Sequence, residues 1–350
     1  MKYPEFLKEN GTIGFPSPSF GCAIEPYRSA FENAQKKWIG MGYKVDLGPN
    51  CYETKGIGIS NTPEECGREL TEYYLSRDND CLISCGGGEL MCEILEYVDF
   101  DAIRKAEPKW FMGYSDNTNM TFLLNTLCDT AAIYGPCAAA FGMEPWHPSL
   151  MDAMDLLTGK KEEAAGYEKW EREGIKDEEH PLAPYQCTQA PDLKIYQPDQ
   201  AGAMQRADGA VMEGRLIGGC MDCLVNLLGT RFDKVKDFAE NYKEDGFIWF
   251  LEACDLNVFG VRRAMWQMEQ AGWFKYVKGF LIGRPCFCYG EEMMGLDQYT
   301  AILPTARRHK IPVIMDCDIG HLPPMMPLVS GSLAKVKAEG NQLEIKMEYK

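Results

Sequence analysis

The sequence predicts an α/β protein: a parallel β-sheet with helices on both faces, followed by a second segment of buried strands. Three observations carry this. Up to about residue 140, short apolar runs alternate with stretches of helical periodicity, as strands do when joined by crossover helices. From about residue 210, further apolar runs have strand length. With 45% apolar and 25% charged residues over 350 positions, the composition is that of a globular protein. At roughly 150 residues per domain that length suits two domains.

Taken in order, Thr12 to Phe15 is a predicted strand ending at Pro16. Tyr27, Ala30, Phe31, Ala34, Trp38 and Met41 then recur at helical spacing. Tyr43 to Leu47 is a second short strand. Thr62-Pro63-Glu64-Glu65 starts a helix, with Thr at the N-cap, Pro at the first turn and Glu three residues on. Cys81 to Ser84 is a buried strand running into Gly86-Gly87-Gly88. Trp110 to Gly113 is another, and Asn117 to Leu127 is a helix. Residues 161–209 change character: Asp177-Glu178-Glu179 and Pro181, Pro184, Pro191 and Pro198 predict an exposed connection or flap between domains at 1–160 and 210–350. Beyond it, Phe247 to Ala253, Val277 to Ile282 and Ile311 to Met315 are buried strands. Val261, Ala264, Met265 and Met268 suit a helix between the first two, and Ala334 to Met347 a hairpin around Gly340-Asn341.

Charge narrows the partners. The formal net charge is −16, and no run of Lys and Arg offsets it, so no nucleic-acid partner is expected. No apolar stretch reaches the roughly 18 residues of a membrane span. The opening MKYPEFLKEN lacks the apolar core of a signal peptide, so the expected location is cytoplasmic. The fifteen cysteines are then expected as reduced thiols. Cys220 and Cys223 have CxxC spacing, and Cys286 and Cys288 CxC. Neither has the second half-site or nearby His that a zinc centre wants, so no metal is expected.

Gly113-Tyr114-Ser115-Asp116 is the sharpest local feature. A Ser between a strand and a helix projects its hydroxyl beyond the sheet, as in a nucleophile elbow, though Asn117 stands where that elbow has glycine. Ser115 or Asp116 could equally cap the helix. Gly86-Gly87-Gly88 is either a tight turn or a set of N–H donors for an oxyanion. Among the four histidines, His321 follows a strand on a Pro-rich loop, where a catalytic base belongs. Glu252 ends a buried strand and must be paired, either orienting a histidine or bridging to Arg262 or Arg284.

Ser115, Glu252 and His321, in this order, resemble the LD-carboxypeptidase family of serine peptidases, which includes muramoyl-tetrapeptide LD-carboxypeptidases and microcin C immunity peptidases. Gly11 to Ser19, Cys85-Gly86-Gly87-Gly88, Gly113 to Asp116, Ile217-Gly218-Gly219, Phe250-Leu251-Glu252 and Gly320-His321 match its blocks in order, over about residues 11 to 335. The resemblance implies a Rossmann-like (flavodoxin-like) N-terminal domain bearing Ser115 and a smaller β-rich C-terminal domain bearing Glu252 and His321. It further implies a Ser-His-Glu triad, an oxyanion hole from the backbone of Gly87 or Gly88 and Asp116, a homodimer, and no cofactor. The implied substrate is a small peptide, murein tetrapeptide first. An amidase of aminoacyl-nucleotide conjugates is the alternative, and a non-catalytic ligand-binding protein the alternative of another class. Departures fall at substrate-reading positions: Cys85 replaces the Arg of murein-cleaving members, Cys220 an Asn, and Leu256 the Lys of immunity-type members. Arg284 and Trp170, with Tyr185 or Trp146, are the remaining candidates for substrate contact.

Overall fold

The computed structural model describes residues 1–350, which divide into two compact units. The first comprises Met1–Lys161, Glu173–Gln186 and Pro327–Val329, and the second Glu162–Arg172, Cys187–Met326 and Ser330–Lys350.

In the first unit the elements are β1 (Thr12–Phe15), α1 (Tyr27–Gly40), β2 (Lys44–Leu47), α2 (Pro63–Leu75), β3 (Cys81–Ile83), α3 (Phe100–Lys105), β4 (Phe111–Gly113), α4 (Thr118–Cys128), β5 (Ala132–Tyr134) and α5 (Pro148–Leu157). The strands lie in the order β2-β1-β3-β4-β5, all parallel, and Leu328–Ser330 adds a sixth beyond β5. Helices cover both faces. On one, Phe15 packs against Phe31 and Trp38, and Trp38 against Phe141. On the other, Leu82, Phe111 and Ala132 meet Leu70, Ile103, Met120 and Leu124 of α2, α3 and α4. The start of α2 follows from its sequence: Thr62 accepts the Glu65 N–H at 3.3 Å, and Pro63 occupies the first turn.

The second unit holds β6 (Glu163–Ala165), β7 (Lys194–Pro198), β8 (Met204–Arg206), β9 (Gly209–Cys220), α6 (Met221–Leu227), α7 (Val235–Asn241), β10 (Phe247–Glu252), α8 (Val258–Gln270), β11 (Val277–Gly283), a ribbon of β12 (Glu292–Met293) and β13 (Leu296–Asp297), α9 (Gln298–His309), β14 (Val313–Cys317), β16 (Leu333–Glu339) and β17 (Gln342–Glu348), β15 being the strand Leu328–Ser330 of the first sheet. Its sheet has nine strands, β6-β17-β16-β9-β10-β11-β14-β7-β8. The centre, β9-β10-β11-β14, is parallel; both flanks are antiparallel. This unit is β-rich as expected, but its sheet is wider than the first.

Residues 161–209 do not form one exposed connection. They contribute β6, β7 and β8 and are divided between the units. In β7 the buried Ile195 alternates with half-buried Lys194 and Tyr196, and Pro198 stands at the strand's end, where a missing N–H is tolerated. Polar and proline-rich composition marks a flanking strand here, not a loop.

Candidate active site

In the first unit the chain leaves β4, passes Tyr114 and turns at Ser115 into a single 3₁₀ turn before α4. Ser115 has φ +61°, a left-handed conformation that a side chain adopts only at a cost of about 1–3 kcal/mol. Position 113 must be glycine: a Cβ there would lie 2.8 Å from Asn117 Cβ and 2.9 Å from its Cγ. The Asn117 amide donates to Gly86 O at 2.8 Å and to Tyr114 O at 3.2 Å.

The glycine turn after β3 runs directly against the serine. A Cβ on Gly87 would sit 3.3 Å from Ser115 Cβ and 3.4 Å from its Oγ, and one on Gly88 would strike Ser19 Oγ at 2.1 Å. Neither the Gly87 nor the Gly88 N–H has an acceptor within the chain, so both donors are open to a ligand. The Asp116 side chain faces inward, 3% exposed. It accepts from Ser19 Oγ at 2.6 Å, the Met91 N–H at 2.9 Å and Asn119 Nδ2 at 3.1 Å. Burial raises its pKa, and the Ser19 and Met91 hydrogen bonds oppose the rise. Glu69 does similar work beneath the loops, accepting the N–H groups of Ser17 and Asn50, both at 2.9 Å.

In the second unit, Glu252 ends β10 opposite Cys220 of β9 and is wholly buried. His321 Nδ1 lies 2.8 Å from Glu252 Oε2. The loop after β14 reaches Glu252 because two glycines make room. A Cβ on Gly283 would meet Ile319 O at 2.0 Å, and one on Gly320, at φ +103°, would meet Glu252 Oε2 at 2.6 Å. Burial alone would lower the His321 pKa. The charge and hydrogen bond of Glu252 outweigh it, with Cys286 and Asp222 adding to the rise, and push the ring to about 9. His147 instead caps α5, and His180 and His309 pair with Asp177 and Glu269.

Four of the residues singled out for substrate contact, Cys85, Cys220, Arg284 and Trp170, are buried. Cys85 is fully buried, its thiol 3.3 Å from Cys51 Sγ, so it cannot replace the family's Arg as a ligand contact. Cys220 is 1% exposed and donates to Asp222 Oδ2 at 3.3 Å. Arg284 is 2% exposed, bonded to Asp316 O at 2.8 Å and ion-paired with Asp318, so its charge is already matched. Trp170 is buried beneath that guanidinium, 4.7 Å from ring centre to Arg284 Cζ, with its indole N–H on Ala190 O.

Two further residues were not legible. Asp222, inside the CxxC, accepts the N–H groups of Cys254 and Asp255, both at 3.0 Å, and so fixes the chain leaving β10. Cys286 is half-buried. A hydrogen bond from Cys254 lowers its pKa, burial opposes this, and the charge of His321 adds to the lowering. The only sequence signal near either was the CxxC and CxC spacing, from which no metal site was expected. No group of three or more His, Cys, Asp and Glu side chains is arranged to hold a metal ion.

Comparison with known proteins identifies the family and the fold. Residues 13–135 match the LD-carboxypeptidase N-terminal domain, and residues 213–336 the LD-carboxypeptidase C-terminal domain. The microcin C7 self-immunity protein MccF of Escherichia coli is 26% identical, over 98% of this chain and 95% of its own. A probable murein peptide carboxypeptidase of Bacillus subtilis is 23% identical over 95% and 90%. A solved structure of MccF in complex with aspartyl sulfamoyl adenosine superposes with a TM-score of 0.79 at 23% identity, covering 100% of this chain and 99% of that one. At that identity it supports the fold alone.

Proposed function

The chain belongs to the LD-carboxypeptidase family and is a serine peptidase of that family; on that premise we propose that it hydrolyses an amide bond in a small peptide through Ser115, His321 and Glu252. Ser115 Oγ attacks the carbonyl carbon. His321 Nε2 takes the hydroxyl proton and delivers it to the leaving amine; water then repeats the sequence on the acyl-enzyme. Glu252 holds Nδ1 and stabilises the imidazolium. The N–H groups of Gly87 or Gly88 and of Asp116 receive the oxyanion. The observation that carries this reading is the 2.8 Å bond between His321 and a carboxylate with no exposure. A buried carboxylate costs several kcal/mol unless paired, and this one is paired to the atom that fixes a base's tautomer.

The substrate we propose first is the murein tetrapeptide, cleaved at its terminal D-Ala in wall turnover, by a cytoplasmic homodimer that needs no cofactor. The full-length likeness to the MccF protein supports a second reading, hydrolysis of an aminoacyl-nucleotide conjugate. Leu256 stands against it, since the immunity-type members it resembles carry Lys there. The test offers the protein L-Ala-γ-D-Glu-diaminopimelate-D-Ala and an aminoacyl sulfamoyl adenosine in parallel, with products weighed by mass spectrometry. Release of D-Ala is the expected result. Cleavage of the adenosine conjugate alone assigns the second reading, and cleavage of neither overturns both.

A further inference from the structure

We infer that Asn117 is the positioning residue of the oxyanion hole, a single amide that aims the Gly87 N–H and ties the glycine turn to the turn that bears Ser115; this rests on the serine-hydrolase reading above. The argument begins with the planarity of the peptide unit. A trans peptide points its C=O and the following N–H in opposite directions, so gripping the oxygen aims the hydrogen. Gly86 O belongs to the peptide whose N–H is that of Gly87. It accepts from Asn117 Nδ2 at 2.8 Å and from Ser84 Oγ at 3.1 Å. Tyr114 O accepts from Asn117 Nδ2 at 3.2 Å and from the Asn117 N–H at 3.1 Å. It belongs to the peptide whose N–H is that of Ser115, which donates to Tyr134 Oη at 3.4 Å and is not one of the oxyanion donors, so this second grip anchors the Asn117 side chain to the serine turn. Through its amide nitrogen Asn117 therefore bonds both turns that flank the nucleophile, with Cys137 Sγ as a longer third partner at 3.5 Å. Its Oδ1 is buried without a partner, so the side chain does not owe its place to that oxygen.

Two features show that the fold is built around this side chain. Asn117 has no exposure, and Gly113 lacks the Cβ that would displace it. Gly87 O in turn accepts the Phe20 N–H at 2.8 Å, which aims the Gly88 N–H by the same logic. An oxyanion hole works by having its donors fixed before the charge appears. The glycines that let the turn approach Ser115 are also the residues least able to hold their own orientation. Asn117, standing where a nucleophile elbow has its last glycine, supplies that rigidity from outside the turn.

The test uses a fluorophosphonate, whose reaction with Ser115 needs the same oxyanion donors but no knowledge of the natural substrate. The labelling rate is measured for the wild type, Ser115→Ala, Asn117→Ala and Ser84→Ala across a pH series, beside each melting curve. The expected result is labelling at Ser115 slowed about tenfold to a hundredfold in Asn117→Ala, less than the roughly 10²–10³ of deleting a donor outright. The midpoint of its pH profile stays that of the wild type, because His321 and Glu252 are untouched. Ser84→Ala, which removes only the second bond to Gly86 O and is the variant to rely on if Asn117→Ala does not fold, is expected to slow labelling about threefold. Wild-type rates in the folded variants overturn the inference while leaving the serine-hydrolase reading in place. No labelling of the wild type, or equal labelling of Ser115→Ala, overturns that reading and the inference with it.

Discussion

On the proposed mechanism, His321 determines at what pH the site can act. As a base it must be neutral, and with its pKa near 9 only a small fraction is neutral at pH 7. We predict that kcat/KM rises about tenfold per pH unit from pH 6 and levels off near 9. In Glu252→Gln the two largest opposing contributions are lost, only Cys286 and Asp222 still work against burial, and the midpoint falls well below that of the wild type. A wild-type midpoint between 6 and 7 contradicts this account of the pair. The same shift has a consequence for stability. A histidine whose pKa is raised on folding stabilises the protein fully below about 6.5, and the contribution disappears as pH rises through about 9. The melting temperature of the wild type is therefore expected to fall between pH 7 and pH 10 by more than that of Glu252→Gln. Cys286, whose pKa the Cys254 hydrogen bond lowers, is expected to be alkylated by iodoacetamide at pH 7 faster than the other thiols, and Cys254→Ser to lose that advantage. Ser115, Glu252 and His321 were picked out as candidates because each stands at or shortly after the end of a recognisable strand. Asn117 and Asp222 were not: their partners, Gly86 and Cys254, lie 31 and 32 positions away, and no local pattern announces such contacts.

At the scale of elements, the loop after β14 depends on absent side chains. Gly320→Ala would place a methyl 2.6 Å from Glu252 Oε2 at a φ of +103°. We predict a loss of about 1–3 kcal/mol and a pH profile displaced toward that of Glu252→Gln, measured by denaturation and kinetics on the same samples. An unchanged profile would show that the loop moves without disturbing the pair. Elements with strong local chemistry were legible: β1 ends at Pro16 as expected, α2 begins at its Thr62 cap, and the final hairpin turns at Gly340. Those that contradict local rules were not. Pro304 lies within α9, whose start is fixed by the Asp297 capping box, and the flanking strands β7 and β8 are too polar to read as strands. In both cases tertiary packing overrides composition.

For the whole molecule, the two matched domains correspond to two units, each with its own sheet. Alternation of strands and helices made the first parallel sheet legible. The central parallel strands of the second were harder to read, because polar flanks conceal that they belong to one nine-stranded sheet. No helix is long and apolar enough to cross a membrane. Since no constellation of side chains suits a metal ion, EDTA is expected to leave turnover unchanged, and a loss restored by zinc would contradict the serine mechanism. The central claim is that Ser115 carries the hydrolysis. It is tested most directly by the rate of D-Ala release from murein tetrapeptide, measured side by side for the wild type and a folded Ser115→Ala. The account predicts a rate at least about 10³-fold lower in the variant. Equal rates would contradict it.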